Sequence, residues 1–253
     1  MNKQDQVPEE RPKDPTITYE GKKYIFKTRD ILIFVIAAPI YIVILYALLE
    51  YAFWLRYIVA EHTIDSLNFV TGMGATMRVP GYANYSELLH SVGIGKILFS
   101  HESEITILLD IPGTPQDIQF VTFCTGFQAI IIFSAFIFFT PASTDKDARK
   151  GIWKRRFYSL FWTSFIFYVV NIIRMWIQLG LYYLGFKWED LHYSISAASS
   201  FIAVIIILLM HKSLPEFVLS IVWTGIKIKE TYFPKLAYKK PKQVAGKENK
   251  NGE

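Results

Sequence analysis

A single thiol stands at the head of a long apolar run. Cys124 is the only cysteine of the chain, and it opens the stretch CTGFQAIIIFSAFIFF. One cysteine cannot form a disulfide within the chain, so its thiol is free unless it pairs with another molecule. A thiolate is a strong nucleophile, which makes covalent acyl transfer the natural reaction class. The simpler interpretation is a small core residue, the usual role of one cysteine in an apolar helix.

An arginine and a histidine accompany the next two apolar runs. Arg174 lies within run 157–184, and His192 directly precedes run 193–210. An arginine inside a membrane is expected to face the bundle interior, and its planar donors suit an oxyanion or a carboxylate. A histidine titrates near neutral pH, so His192 can act as base and then as acid. The simpler roles are a snorkelling arginine for Arg174 and a helix cap or solvated side chain for His192.

Four apolar runs are candidates for membrane spans. A spanning helix needs roughly 20 mainly apolar residues, and the candidates cover about 31–55, 124–139, 157–184 and 193–210. The connection STDKDARKGIWKRR carries six lysine and arginine residues, whereas the stretch 57–119 has only two, Arg78 and Lys96. By the positive-inside rule both termini lie inside. Cys124, Arg174 and His192 then meet near the outer surface, since Arg174 is about 25 Å along its helix.

The remaining segments complete the predicted organisation. We expect an all-α polytopic membrane protein with four transmembrane helices, both termini inside, and a small extracytoplasmic insertion. Residues 1–30 read as a disordered cytoplasmic tail, and 31–211 as the membrane domain. The insertion (57–119) contains the sequence EITILLDIPGTPQDIQFVTF, which predicts a β-hairpin. Residues 212–253 comprise a segment at the inner membrane surface and a basic cytoplasmic tail.

Several classes of function receive no support. The net charge of +5 resides in the connections between apolar runs, which favours membrane orientation over nucleic-acid binding. The sequence has no HExxH, GxSxG or CxxC motif and no zinc-ligand spacing, so no metal or other cofactor is expected. His62, His90 and His101 also lie on the predicted outer side and compete with His192 for the role of base.

Three short motifs resemble the exosortase/archaeosortase family of membrane-embedded cysteine transpeptidases. They are CTGFQ at Cys124, NIIR from Asn171 to Arg174, and LHYSIS with His192. Their order, spacing and topology agree with that family over roughly residues 105–211. Lysine-rich composition favours an archaeosortase-like member.

The resemblance implies a reaction and a set of residues. Family members cleave the C-terminal sorting tails of secreted proteins and form an acyl-enzyme. They pass the protein to an amine or hydroxyl acceptor, of which a membrane lipid is the expected one. By this resemblance Cys124 is the nucleophile, and Arg174 and His192 are its catalytic partners. The supporting residues are Thr125, Gly126 and Asn171.

Two other classes of function stay open at this point. In a non-enzymatic scaffold or assembly factor, Arg174 would pair with a buried acid such as Glu50. A small transporter is disfavoured because intramembrane charges are few and the spans show no inverted repeat.

Overall fold

The N-terminal region begins with an ordered β-hairpin. The computed structural model describes residues 14–232, without the side chains at 85, 189, 192–194 and 196–200. Strands β1 (Ile17–Tyr19) and β2 (Lys22–Tyr24) pair in antiparallel fashion. The prediction of disorder over residues 1–30 is therefore wrong for this hairpin, while residues 1–13 lie outside the described residues.

Aromatic burial explains why this hairpin is ordered. Tyr24 and Phe26 are buried in one cluster with Trp223, near the other end of the described chain. The indole N–H of Trp223 also donates a hydrogen bond to the carbonyl of Pro15 at 2.7 Å. The strands themselves are three residues long, so this long-range packing, and not strand propensity, holds them.

The insertion contains more structure than the predicted hairpin. In chain order, the elements from the first long helix to the end of the insertion are α1 (Thr28–Leu49), α2 (Phe53–Thr71), β3 (Thr76–Arg78), α3 (Tyr85–Leu98), β4 (Leu108–Asp110) and β5 (Ile118–Gln119). Strands β4 and β5 form the predicted hairpin, which is confirmed. Strand β3 adds a third antiparallel strand on the other side of β4. The first apolar helix was predicted to reach residue 55, but it ends at Leu49 and the chain turns into α2.

Five further helices follow a short 3₁₀ turn at Thr122–Thr125, here named the cysteine turn. They are α4 (Phe127–Phe139), α5 (Lys146–Arg149), α6 (Ile152–Tyr183), α7 (Trp188–Ser213) and α8 (Glu216–Tyr232). Helix α1 packs on α4, α4 on α6, and α6 on α7. This row of helices carries the cysteine turn at one end, beneath the small sheet of the insertion.

The chain is a mostly helical protein with helices suited to a membrane. Among the described residues, α1 and α6 are each long and apolar enough to cross a bilayer. The segment Phe201–Ser213 and helix α8 pass the same test only as a pair, bent by 92°. Helix α4 has 13 residues, or about 20 Å, and is shorter than a complete span. Two or three spans are thus supported, and the four-span arrangement with its orientation stays a prediction.

A buried carboxylate fixes the bend between α7 and α8. Glu216 begins α8 and is fully buried, and its carboxylate accepts a hydrogen bond from the guanidinium of Arg155. Arg155 also donates to the carbonyls of Ala148 at 2.9 Å and Lys150 at 2.7 Å. The guanidinium of Arg155, on α6, thereby joins the basic segment that precedes α6 to the start of α8.

We expect Arg155→Ala to destabilise the fold by about 3–5 kcal/mol, because it leaves the charge of Glu216 buried without a partner. The exposed pair between Lys227 and Asp14 provides a matched control. Lys227→Ala should change stability by less than about 1 kcal/mol. Thermal unfolding in detergent measures both effects. Equal shifts for Arg155→Ala and Lys227→Ala would contradict the structural role of the buried pair.

Candidate active site

The cysteine turn places the thiol just before α4. Cys124 is 1% exposed, and its backbone N–H donates to the carbonyl of Val121 at 2.9 Å. Within the turn, the hydroxyl of Thr125 donates to the carbonyl of Thr122 at 2.7 Å. Gly126 ends the turn with φ +71°, a left-handed conformation that favours glycine, and α4 begins at the next residue.

Asn171 holds the turn from the neighbouring helix α6. Its side-chain amide donates to the carbonyl of Cys124 at 2.9 Å, and the residue is almost completely buried. A Cβ atom at Gly126 would lie 2.6 Å from the side-chain carbon and oxygen of the Asn171 amide. Gly126 is therefore required for two reasons, its backbone conformation and the close approach of Asn171. This explains why the sequence has glycine two residues after the cysteine.

Arg174 reaches the same turn from one helical turn further along α6. Its guanidinium donates to the carbonyl of Phe123 at 3.3 Å, while its Nε is buried without a hydrogen-bond partner. Arg174 forms no ion pair with any side chain that the structure describes. The structure thus brings Cys124, Asn171 and Arg174 together, and the guanidinium retains donor capacity beside the turn.

A groove opens at this point between α4, α6 and α7. Its volume is about 440 Å³, and Gly126, Asn171 and Arg174 contribute to its wall. The rest of the lining is apolar and includes Phe133 and Phe167. The groove therefore combines a cationic donor with an apolar surface, which suits an amphiphilic or transmembrane ligand.

Glu102 from the insertion holds the other end of the cysteine turn. Its carboxylate accepts a hydrogen bond from the backbone N–H of Thr122 at 2.9 Å. The carboxylate lies 3.6 Å from the guanidinium of Arg56, which is 1% exposed and donates to the carbonyl of Ser100 at 3.0 Å. From α4, the amide of Gln128 donates to the carbonyl of Thr122 at 2.9 Å. The backbone of the turn is thus hydrogen-bonded by side chains from α4, α6 and the insertion.

The charge on Glu102 is stabilised by these neighbours. Burial by itself would raise the pKa of Glu102, but the N–H of Thr122 and the charge of Arg56 outweigh it and hold that pKa below its usual value. The bond to Thr122 is consequently kept at acidic pH and is lost only as the pH falls through this lowered pKa.

Sequence reasoning missed Glu102, Arg56 and Gln128. The insertion carries several acids with no motif around them, so nothing in the spacing distinguishes Glu102. Arg56 directly follows the first predicted span, where a basic residue is read as an interfacial group. Only the burial of Arg56 and the bonds of Glu102 to Arg56 and Thr122, which are tertiary properties, separate these residues from ordinary surface charges.

The position of the predicted base is not defined. His192 belongs to α7, but its side chain lies outside the described residues. Two of the three competing histidines have other partners: His62 bonds the hydroxyl of Tyr168, and His101 bonds Ser103 at 2.8 Å and lies 3.8 Å from Glu50. The third, His90, is exposed on α3. The assignment of His192 as base stays a prediction.

Comparison with known proteins adds no assignment. The chain matches no protein-family model, no curated protein and no solved structure. The resemblance to exosortases and archaeosortases therefore stays a prediction from short motifs. The function proposed below depends on the geometry of the cysteine turn.

The contact between Gly126 and Asn171 predicts an energetic coupling. Gly126→Ala should destabilise the protein by more than the 1–2 kcal/mol or so of a left-handed alanine, because the new Cβ overlaps Asn171. In an Asn171→Ala background the contacts with the side-chain carbon and oxygen of the amide are removed, and only the contact with the Cβ atom of residue 171, at 2.9 Å, and the backbone strain remain. Gly151→Ala is the matched control, since Gly151 has φ +69° and open space around it. Thermal unfolding of these variants forms a double-mutant cycle.

We expect Gly126→Ala to destabilise the protein less in the Asn171→Ala background than in the wild type, and slightly more than Gly151→Ala alone, because a Cβ contact of 2.9 Å remains. A coupling energy of zero between Gly126 and Asn171 would show that the close packing of the turn on α6 is not present in solution.

Proposed function

We propose that this protein is a membrane-embedded cysteine transpeptidase that cleaves the C-terminal sorting tails of secreted proteins. It transfers them to an amine or hydroxyl acceptor, with a membrane lipid as the expected acceptor. The observation that carries the proposal is the contact between Arg174 and the cysteine turn. A half-buried guanidinium with no acidic partner among the described side chains contacts the peptide segment that holds the only thiol of the sequence.

The proposed reaction has two steps. The thiolate of Cys124 attacks a backbone carbonyl of the substrate, the scissile C–N bond breaks, and the departing amine takes up a proton. This releases the tail and leaves the secreted protein as a thioester on Cys124. The acceptor then attacks the thioester and the thiolate departs. His192 is the proposed proton carrier in both steps.

Arg174 is the proposed electrophilic group. Its free donor capacity suits the oxyanion that develops on the attacked carbonyl, or a carboxylate of the substrate. Asn171 and Thr125 shape the turn, and Gly126 allows α6 to approach it. They are positioning residues because their described bonds go to the backbone of the turn and not to a reacting atom.

The groove between α4, α6 and α7 is the proposed site of the substrate tail. It combines Arg174 with apolar side chains, and α4 and α6 also hold the cysteine turn. A tail helix in the groove would bring its upstream carbonyl towards Cys124. Because Cys124 is 1% exposed, substrate entry must move a group that covers the thiol. The proposal therefore includes an opening step.

The burial of Cys124 also favours a second candidate function, a non-enzymatic membrane scaffold. Cys124 is buried in one hydrophobic cluster with Leu109 and Ile118 of the insertion sheet. A covered thiol among apolar side chains is typical of a core residue. Glu50, the acid suggested above as the partner of Arg174 in a scaffold, lies 3.8 Å from His101 instead.

Mass spectrometry of protein C-termini in the native host tests the proposal. We expect Cys124→Ala to abolish processing, so that a set of secreted proteins retains full-length C-terminal tails. Arg174→Gln should slow processing by about 100- to 1000-fold, the effect of removing one oxyanion donor. Ser134→Ala is the matched control, since Ser134 is also small and buried but lies on α4 away from the turn.

We expect the Ser134→Ala control strain to have the same protein C-termini as the wild type. If Cys124→Ala protein is present at the normal level and every tail is the same as in wild type, the transpeptidase proposal is wrong and the scaffold replaces it.

A further inference from the structure

A second groove lies between α6 and α7, at the end of α6 that follows the basic connection. Its volume is about 500 Å³, and most of its wall is apolar, with Trp162 and Ile166 on α6 and Leu209 on α7. Near its end, the hydroxyls of Ser159 and Ser213 are hydrogen-bonded at 2.7 Å. The groove is apolar at one end and polar at the other. This arrangement suits an amphiphile, which has an apolar chain and a polar headgroup.

Positive charge surrounds the polar end of this groove. Lys212 lines it from the last turn of α7 and is exposed. Lys154 lies one helical turn before Tyr158, which lines the groove from α6 and offers a phenol hydroxyl. Neither lysine forms an ion pair among the described side chains, and no described carboxylate lines the groove. The one buried acid at the start of α8, Glu216, is already paired with Arg155.

We propose that this groove binds one anionic membrane lipid. An acyl chain lies along Trp162, Ile166 and Leu209, and the headgroup phosphate is bound by Lys212, Lys154 and the hydroxyl of Tyr158. Basic pockets between membrane helices bind anionic headgroups in this way, and each lysine near such a headgroup contributes about fivefold to affinity. The site contains none of the residues that surround Cys124, so it is independent of the proposed reaction.

The charge requirement is tested with two lipids that differ in headgroup charge. The full chain in detergent is titrated with dioleoyl phosphatidylglycerol or dioleoyl phosphatidylcholine, and binding is followed by native mass spectrometry and by the shift in Tm. We expect phosphatidylglycerol to bind at least tenfold more tightly. Lys212→Gln and Lys154→Gln together should remove most of that preference, at about fivefold each. Lys22→Gln, an exposed lysine of the N-terminal hairpin, should leave it unchanged.

The groove itself is tested with a matched pair of substitutions on α7. Leu209 lines the groove and is 50% exposed, whereas its neighbour Leu208 is 66% exposed and lies outside the lining. Leu209→Trp should fill the groove and reduce phosphatidylglycerol binding at least tenfold, and Leu208→Trp should not. Equal binding of the two lipids by the wild-type chain, or equal effects of the two tryptophan variants, would overturn the proposal.

Discussion

The hydrogen bond from Asn171 to the carbonyl of Cys124 is the constraint on which the site depends. It forms only because Gly126 has no side chain, so α6 can approach the turn to van der Waals distance. Arg174 lies one helical turn beyond Asn171 on the same face of α6, and this spacing brings its guanidinium to the carbonyl of Phe123. A single helix thereby fixes both the position of the thiol and the nearest cation.

The insertion has a structural role, because it helps to hold the cysteine turn in place. Through Glu102 it binds the N–H of Thr122, and through Arg56 this carboxylate is connected to α2 and to the carbonyl of Ser100. Because Arg56 is buried, separating it from Glu102 would leave a buried charge without a partner, so the pair selects one arrangement of the chain. The insertion and the membrane helices are thus held in one register around Cys124.

The parts of this arrangement that depend on local pattern were predicted from the sequence. Apolar runs indicated the long helices, and the distance of Arg174 along its helix placed it near the outer surface with Cys124. The N-terminal hairpin was missed because its order depends on burial of Tyr24 against Trp223, about 200 residues later. Glu102 was missed for the same reason, since its role arises only when the insertion folds back onto the turn.

The most direct test of the central claim is capture of the proposed thioester with hydroxylamine. Native membranes are incubated with hydroxylamine, which replaces the acceptor, and the C-termini of secreted proteins are identified by mass spectrometry. A thioester on Cys124 predicts proteins that lack their tails and end in a hydroxamate, in wild-type membranes but not in Cys124→Ala membranes. Identical C-termini in the two membranes, with no hydroxamate in either, would contradict a covalent role for Cys124.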